Sequence, residues 1–229
     1  MSRKILILAA HPDDPIITMG GTVRKLVKDG NEVNVFAFGN GDEAYSTPGG
    51  SAEAVRKYAA ASVKAYEILG CHLETLSLPD FEVFQTRELY HECIRAIRKY
   101  KPDSIFAHYW GEYFQHTGMA TISRDAWNQA QWTCSGDLGE AWTCPKYYHF
   151  HGRDGVSEVT HVVDVTDTLE DGLEAIKHFQ FDFGAEHEIE NFMKVKAEFA
   201  GAKIGVKYGE MFQQCFYYPE KITDSENMF

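Results

Sequence analysis

Apolar positions along this chain follow two rhythms. Nearly all-apolar runs at residues 4–10, built on Ile5-Leu6-Ile7-Leu8, and at Val33–Phe38 predict strands covered on both faces. Further strands are read at Leu73–Leu78, Ser104–His108, Tyr147–His151 and His161–Val165. Between them the apolar spacing is helical. Met19, Val23, Leu26 and Val27 share a face of a helix over Thr18–Lys28, which Asp29-Gly30-Asn31 ends. Ala52–Leu69 is a long alanine-rich helix closed by Gly70, a residue suited to the left-handed position after a helix. Further helices are predicted over Arg87–Lys99, Gly118–Gln131, Thr166–Phe179 (capped by Asp164 or Thr166) and Glu186–Ala200. Tyr208–Phe212 reads as a terminal turn or short helix. Strand and helix alternate through the first half, so the fold class is α/β with a mainly parallel sheet.

The chemistry gathers where the first strand ends. His11-Pro12-Asp13-Asp14 follows the apolar run directly, at the sheet edge where open α/β folds collect ligands. One imidazole and two carboxylates in four residues can supply two metal ligands and a free general base. The same residues could also cap the next helix, with Pro12 and Pro15 at its entry and His11 buried and hydrogen-bonded. Gly20-Gly21 suits close backbone approach where that helix packs.

His11-Pro12-Asp13-Asp14 with Gly20-Gly21 resembles the signature of the LmbE/PIG-L family, mainly zinc-dependent deacetylases of N-acetylglucosamine conjugates. Segments 101–108, 163–169 and 205–212 resemble later parts of that family in the right order, so the likeness spans nearly the whole chain. It implies a three-layer, Rossmann-like arrangement with His11, Asp14 and His116 as ligands of Zn2+, or of another first-row divalent ion. It further implies that Asp13 activates a metal-bound water for attack on an amide carbonyl and then returns the proton to the leaving amine. The implied substrate is a small molecule, an N-acetyl amino sugar or conjugate. Asp42, Asp80 and Arg56 match substrate-contacting positions, although Ala59 stands where a glutamate would follow the arginine. His108 matches a histidine at the fourth strand end, as a supporting or substrate-side group.

The chain departs from the family in its second motif. The usual His-x-Asp-His is Tyr113-Phe114-Gln115-His116 here, so the catalytic histidine and its orienting aspartate are replaced by Tyr113 and Gln115. Tyr113 can still donate a hydrogen bond to an oxyanion, but a phenol is a poor acid at neutral pH. His151 or His149, two apart on one strand face, are candidates to replace the lost histidine. The departures leave two alternatives open. One is a metal-dependent hydratase or other lyase on the same scaffold; the other is a catalytically impaired homologue that binds metal and ligand.

Composition narrows the partners. A formal net charge of −12 disfavours nucleic acid and anionic lipid. No apolar run approaches the roughly 20 residues that span a bilayer, and no export signal precedes His11, so a cytoplasmic chain is expected. Five cysteines without a CxxC pair argue against a disulfide framework or a cysteine zinc site. The first loop lacks Gly-x-Gly-x-x-Gly, and its two carboxylates would repel a pyrophosphate, which disfavours a dinucleotide. The length of 229 residues fits one domain over 1–229. Family members often self-associate, which leaves a homo-oligomer open. Trp132-Thr133-Cys134 recurs as Trp142-Thr143-Cys144, and the loop between them is a candidate lid or subunit contact, or simply a loop anchored by packed indoles. Tyr45, Tyr109 and Trp110 could stack on sugar faces or pack.

Overall fold

The computed structural model describes residues 2–44, 50–150, 152, 158–179 and 186–216. Seven strands form one sheet in the order β3-β2-β1-β4-β5-β7-β6. They are β1 (Lys4–Ala9), β2 (Glu32–Gly39), β3 (His72–Leu78), β4 (Ser104–Ala107), β5 (Lys146–His149), β6 (His161–Asp164) and β7 (Gly209–Cys215). β1 through β5 pair in parallel, and β7 runs antiparallel to both of its neighbours. The helices are α1 (Asp14–Lys28), α2 (Ser51–Leu69), α3 (Arg87–Tyr100), α4 (Phe114–Ala130), α5 (Leu169–Ile176) and α6 (Glu186–Ile204).

Strand geometry explains the nearly all-apolar runs. Successive side chains point to opposite faces, so Ile5 and Ile7 of β1 enter a core shared with α1, α2, α5 and α6. Leu6 and Leu8 enter the opposite core, shared with α3 and α4. A strand with a core on each side has no solvent face and therefore shows no polar alternation. The chain leaves β1 toward β2 and β3 on one side and continues through β4 on the other. The crevice beyond the ends of β1 and β4 is thus the point where the strand order reverses, the place where such sheets bind ligands.

Several boundaries differ from the periodicity. α1 starts at Asp14 rather than Thr18, with Pro15 in its first turn, so the acidic pair lies at the helix N-terminus. Neither carboxylate caps it by a side-chain bond from the N-cap residue Asp13. α4 starts at Phe114 rather than Gly118, which puts His116 inside its first turn. α5 is shorter than expected, with Thr168 at its N-cap; the Asp164 carboxylate accepts from Thr166 N at 3.0 Å instead. β5 stops at His149. The segment read as a terminal turn is strand β7, inserted between β5 and β6, where pairing with two distant strands decides its conformation. Its Glu210 is buried and accepts from Gly21 N (3.0 Å) and Thr22 N (2.7 Å), amides freed by a break in α1 at Met19. Gly20 lies against the Gly172 backbone of α5, and a Cβ on Gly21 would fall 2.8 Å from Val165 Cβ, so the glycine pair is needed for this approach.

The loop between the two Trp-Thr-Cys repeats is tied down by Arg98 of α3. Its buried guanidinium donates to the carbonyls of Ala130 (3.2 Å), Trp132 (2.6 Å), Cys134 (3.0 Å), Ser135 (2.6 Å) and Gly139 (3.0 Å). The Trp142 indole donates to Pro102 O at 2.8 Å, just before β4 begins. That is the sheet edge opposite the ends of β1 and β4, so the loop is no lid over the crevice. Replacing Arg98 by methionine leaves these acceptors without their donor. We expect Arg98→Met to lower the unfolding free energy by about 1–3 kcal/mol in urea denaturation.

Candidate active site and metal centre

Four elements meet in the crevice. The end of β1 and the start of α1 bring His11, Asp13 and Asp14; the end of β4 brings His108; the first turn of α4 brings His116. His11, Asp14 and His116 each offer a ligand atom, and these atoms lie within 4.8 Å of one another. Asp14 Oδ1 is 3.0 Å from His116 Nε2, and Asp14 Oδ2 is 3.5 Å from His11 Nδ1. The Asp14 carboxylate also accepts from the His11 backbone N–H at 2.7 Å. His116 Nε2 is buried and has no hydrogen-bond partner among the described residues. Two imidazoles, a carboxylate and an orphaned buried nitrogen aimed at it fit a divalent ion.

The two neighbouring aspartates are electrostatically opposite. Burial would raise Asp14, but His116 and His108 outweigh it and hold its carboxyl well below the usual range. Burial, reinforced by the charge of Asp14, pushes Asp13 up to about 6. Such a split separates an ionised ligand from a carboxylate able to exchange a proton near neutrality. Burial lowers His116, yet Asp14 and Glu112 prevail and push it up to about 10. The pocket is therefore anionic and draws cations, whether protons or a metal.

Asp13 is held by α2. The buried Tyr58 hydroxyl donates to Asp13 Oδ1 and accepts from the Asp13 N–H at 3.2 Å, and Tyr66 OH donates to Pro12 O at 2.7 Å. Both tyrosines lie on the apolar face of a helix, where sequence patterning marks them only as core. Arg56, two residues from Tyr58, is exposed and turns back to Ala52 O, so the structure does not join it to the site. Asp42 and Asp80 form a linked pair beside it. Asp80 N donates to Asp42 Oδ1 at 2.8 Å, and the Asp80 carboxylate accepts from Gly41 N (2.8 Å) and Glu43 N (3.3 Å). Asp80 Oδ1 is also 3.6 Å from His11 Nε2. Gly39 makes this meeting possible: a Cβ there would sit 2.5 Å from His11 Cδ2 and 3.0 Å from Asp80 Oδ1.

The altered second motif has a clear geometry. Tyr113 is half exposed, and its ring lies 4.0 Å from the His116 ring. Desolvation and the charge of Asp14 raise its pKa, so it stays a phenol that donates. Gln115 is buried and donates to Asp80 O at 2.8 Å, a bridge between α4 and the Asp80 turn. His108 is fully buried, which removes it from direct contact with substrate. Its ring lies 4.0 Å from His116, its Nε2 accepts from Ala10 N at 2.9 Å, and the same nitrogen is 3.2 Å from Asp14 Oδ2. The motif reading misses Glu112. Its Oε2 accepts from His116 Nδ1, its Oε1 accepts from Gly152 N, and burial is outweighed by His108 and His116 so that it remains ionised. His151 and Tyr45 lie outside the described residues. His149 is buried beneath Trp110, with Nδ1 bonded to His108 O at 2.6 Å and ring centroids 4.8 Å apart.

Residues 6–127 match the family described as PIG-L, GlcNAc-PI de-N-acetylase. The chain belongs to the PIG-L family. This is a family of deacetylases, enzymes that hydrolyse amide carbon–nitrogen bonds. Within it, the chain is 27% identical over 220 residues to a diacetylchitobiose deacetylase of Thermococcus kodakarensis, covering 91% of this chain and 81% of the relative. The N,N'-diacetylchitobiose deacetylase of Pyrococcus horikoshii, solved with its inhibitor MPG, superposes with a TM-score of 0.85 at 26% identity, covering 97% of this chain and 88% of that one. A 4-carboxy-2-hydroxymuconate hydratase of Pseudomonas putida shares the fold alone, at 17% identity and a TM-score of 0.81, covering 96% of this chain and all of that one. Among the described residues of this PIG-L chain, no helix is long and apolar enough to cross a membrane.

Burial pushes the His149 imidazole down to about 4, below its ordinary 6.5. The neutral ring therefore contributes stability above pH 6.5, and that contribution is lost as pH falls through 6.5 toward 4. We expect His149→Gln to lose less stability than the parent between pH 7 and pH 4.5, read as the change in urea midpoint across that interval.

Proposed function

We propose that this PIG-L chain is a zinc-dependent deacetylase that removes an acetyl group from an N-acetylated amino sugar or a related small amide. The observation that carries this reading is the His11–Asp14–His116 cluster with Asp13 beside it, ionising near neutrality because of burial and Asp14. A divalent ion held by those three ligands would acidify a water and polarise the amide carbonyl. Asp13 then takes the proton of the attacking water and hands it to the departing amine. Tyr58 keeps the Asp13 carboxylate turned into the site while it does so. Tyr113, half exposed beside His116, would donate a hydrogen bond to the developing oxyanion. Asp42 is the open-side carboxylate available to sugar hydroxyls, with Asp80 holding its loop.

A second reading has its own support. Tyr113 and Gln115 replace the usual histidine and aspartate, and a hydratase shares the fold. Addition of water to an unsaturated carboxylate would use the same ligands and Asp13.

Metal-stripped protein reloaded with zinc is offered N,N'-diacetylchitobiose, simpler N-acetylglucosamine conjugates and unsaturated carboxylates. We expect free amine from the acetylated sugars, reduced roughly 10²–10⁴-fold in Asp13→Asn. Zinc-loaded protein that releases no amine across the panel, but hydrates an unsaturated acid, would transfer the assignment to the second reading.

A further inference from the structure

Glu112 stands four residues before His116, in the turn that joins β4 to α4, and its side chain is only 6% exposed. One oxygen, Oε2, meets His116 Nδ1. An ionised carboxylate only accepts, so this contact keeps a proton on Nδ1, and Nε2 is the nitrogen that gives up its proton and presents a lone pair when a metal replaces that proton. That nitrogen is the buried orphan facing Asp14. His108 adds to the arrangement from below. Its Nε2 accepts from Ala10 N, so its own proton sits on Nδ1, 3.6 Å from the same Glu112 oxygen. His108, Glu112 and His116 therefore group as donors around an acceptor rather than as a second metal site, although their ligand atoms lie close enough for one.

The other oxygen reaches in the opposite direction. Oε1 accepts from Gly152 N, just beyond β5, and Gly152 O accepts from Lys196 Nζ of α6 at 3.3 Å. The approach excludes a side chain: a Cβ on Gly152 would lie 2.8 Å from Glu112 Oε1 and 3.2 Å from its Cδ. One carboxylate thus joins a candidate ligand to the backbone leaving the neighbouring strand.

We propose that Glu112 is the positioning residue of the metal centre, fixing the tautomer and ring orientation of His116 while anchoring the exit of β5 through Gly152. This rests on His116 being a zinc ligand, as the proposed deacetylase reading has it. Partners of this kind to a ligating histidine typically change metal affinity by roughly 10- to 100-fold.

Zinc affinity is measured on the full chain by competition with a chromophoric chelator, with the Co2+ absorption spectrum recorded alongside and thermal midpoints taken with and without zinc. No turnover is required. Glu112→Gln should weaken zinc roughly 10- to 100-fold, alter the Co2+ spectrum, and shrink the rise in midpoint on adding zinc while the metal-free midpoint stays near the parent value. Gly152→Ala, which displaces the carboxylate from the other side, should show a smaller loss in the same direction and serves if Glu112→Gln does not fold. Glu88→Gln, an exposed carboxylate on α3, should match the parent. Parent-like zinc affinity and Co2+ spectrum in both Glu112→Gln and Gly152→Ala would overturn the proposal and leave the deacetylase reading standing. So would a lowered metal-free midpoint with unchanged zinc affinity, which marks a purely structural role. Absence of zinc binding in the parent, or parent-like binding in Asp14→Asn, would overturn both.

Discussion

Two adjacent carboxylates, Asp13 and Asp14, are sequestered just beyond an apolar, buried strand, and the rest of the structure depends on how that charge is managed. Leaving them unpaired there would cost several kcal/mol. The fold answers by directing imidazoles at one and a phenol at the other. His11, His108 and His116 surround Asp14, whereas Asp13 meets Tyr58 and bears the repulsion of its neighbour. The asymmetry follows from position on α1, whose first turn places consecutive residues on different faces. The electrostatic division between the two aspartates is thus a consequence of position as much as of side-chain identity.

The surrounding elements make room for that cluster. Gly39 lets His11 and Asp80 approach across the end of β2, and Gly41, with φ at +69°, turns the chain over the face of the Tyr58 ring. The aromatic groups of α2 reach the same crevice from the helical layer while their rings remain part of the core. The apolar core and the polar site therefore share residues, so a substitution at Tyr58 acts on packing and on Asp13 together.

Much of this was legible in the sequence. The buried parallel strands, the order of helices and the emergence of His11, Asp13 and Asp14 at a strand end all followed from apolar runs and a four-residue motif. His116 and Asp80 were marked by resemblance, and both lie at the crevice. What escaped has physical reasons. β7 is held by pairing with residues 45 or more positions earlier in sequence, which local periodicity does not register. Tyr58 sits at a helix position where an apolar-face tyrosine normally means packing. Arg56 offered the expected charge, but its place on α2 turns it to solvent.

Glu112 was missed for a more instructive reason. A motif fixes residue types at fixed positions, whereas a metal-facing imidazole needs only that some carboxylate accept its other N–H. Gln115 occupies the place where the orienting aspartate is expected, and it bridges to Asp80 O, where a neutral amide donor suits the carbonyl. The carboxylate instead lies three residues earlier, where the turn before α4 folds it under His116. Loss of a motif residue is therefore a weak argument for loss of function in this chain. Tyr113 stands where the motif's first histidine is expected, but nearby Glu112 supplies the negative charge that the altered motif removes. The question for an altered site is where the charge and the proton go, and here both remain within one turn of His116.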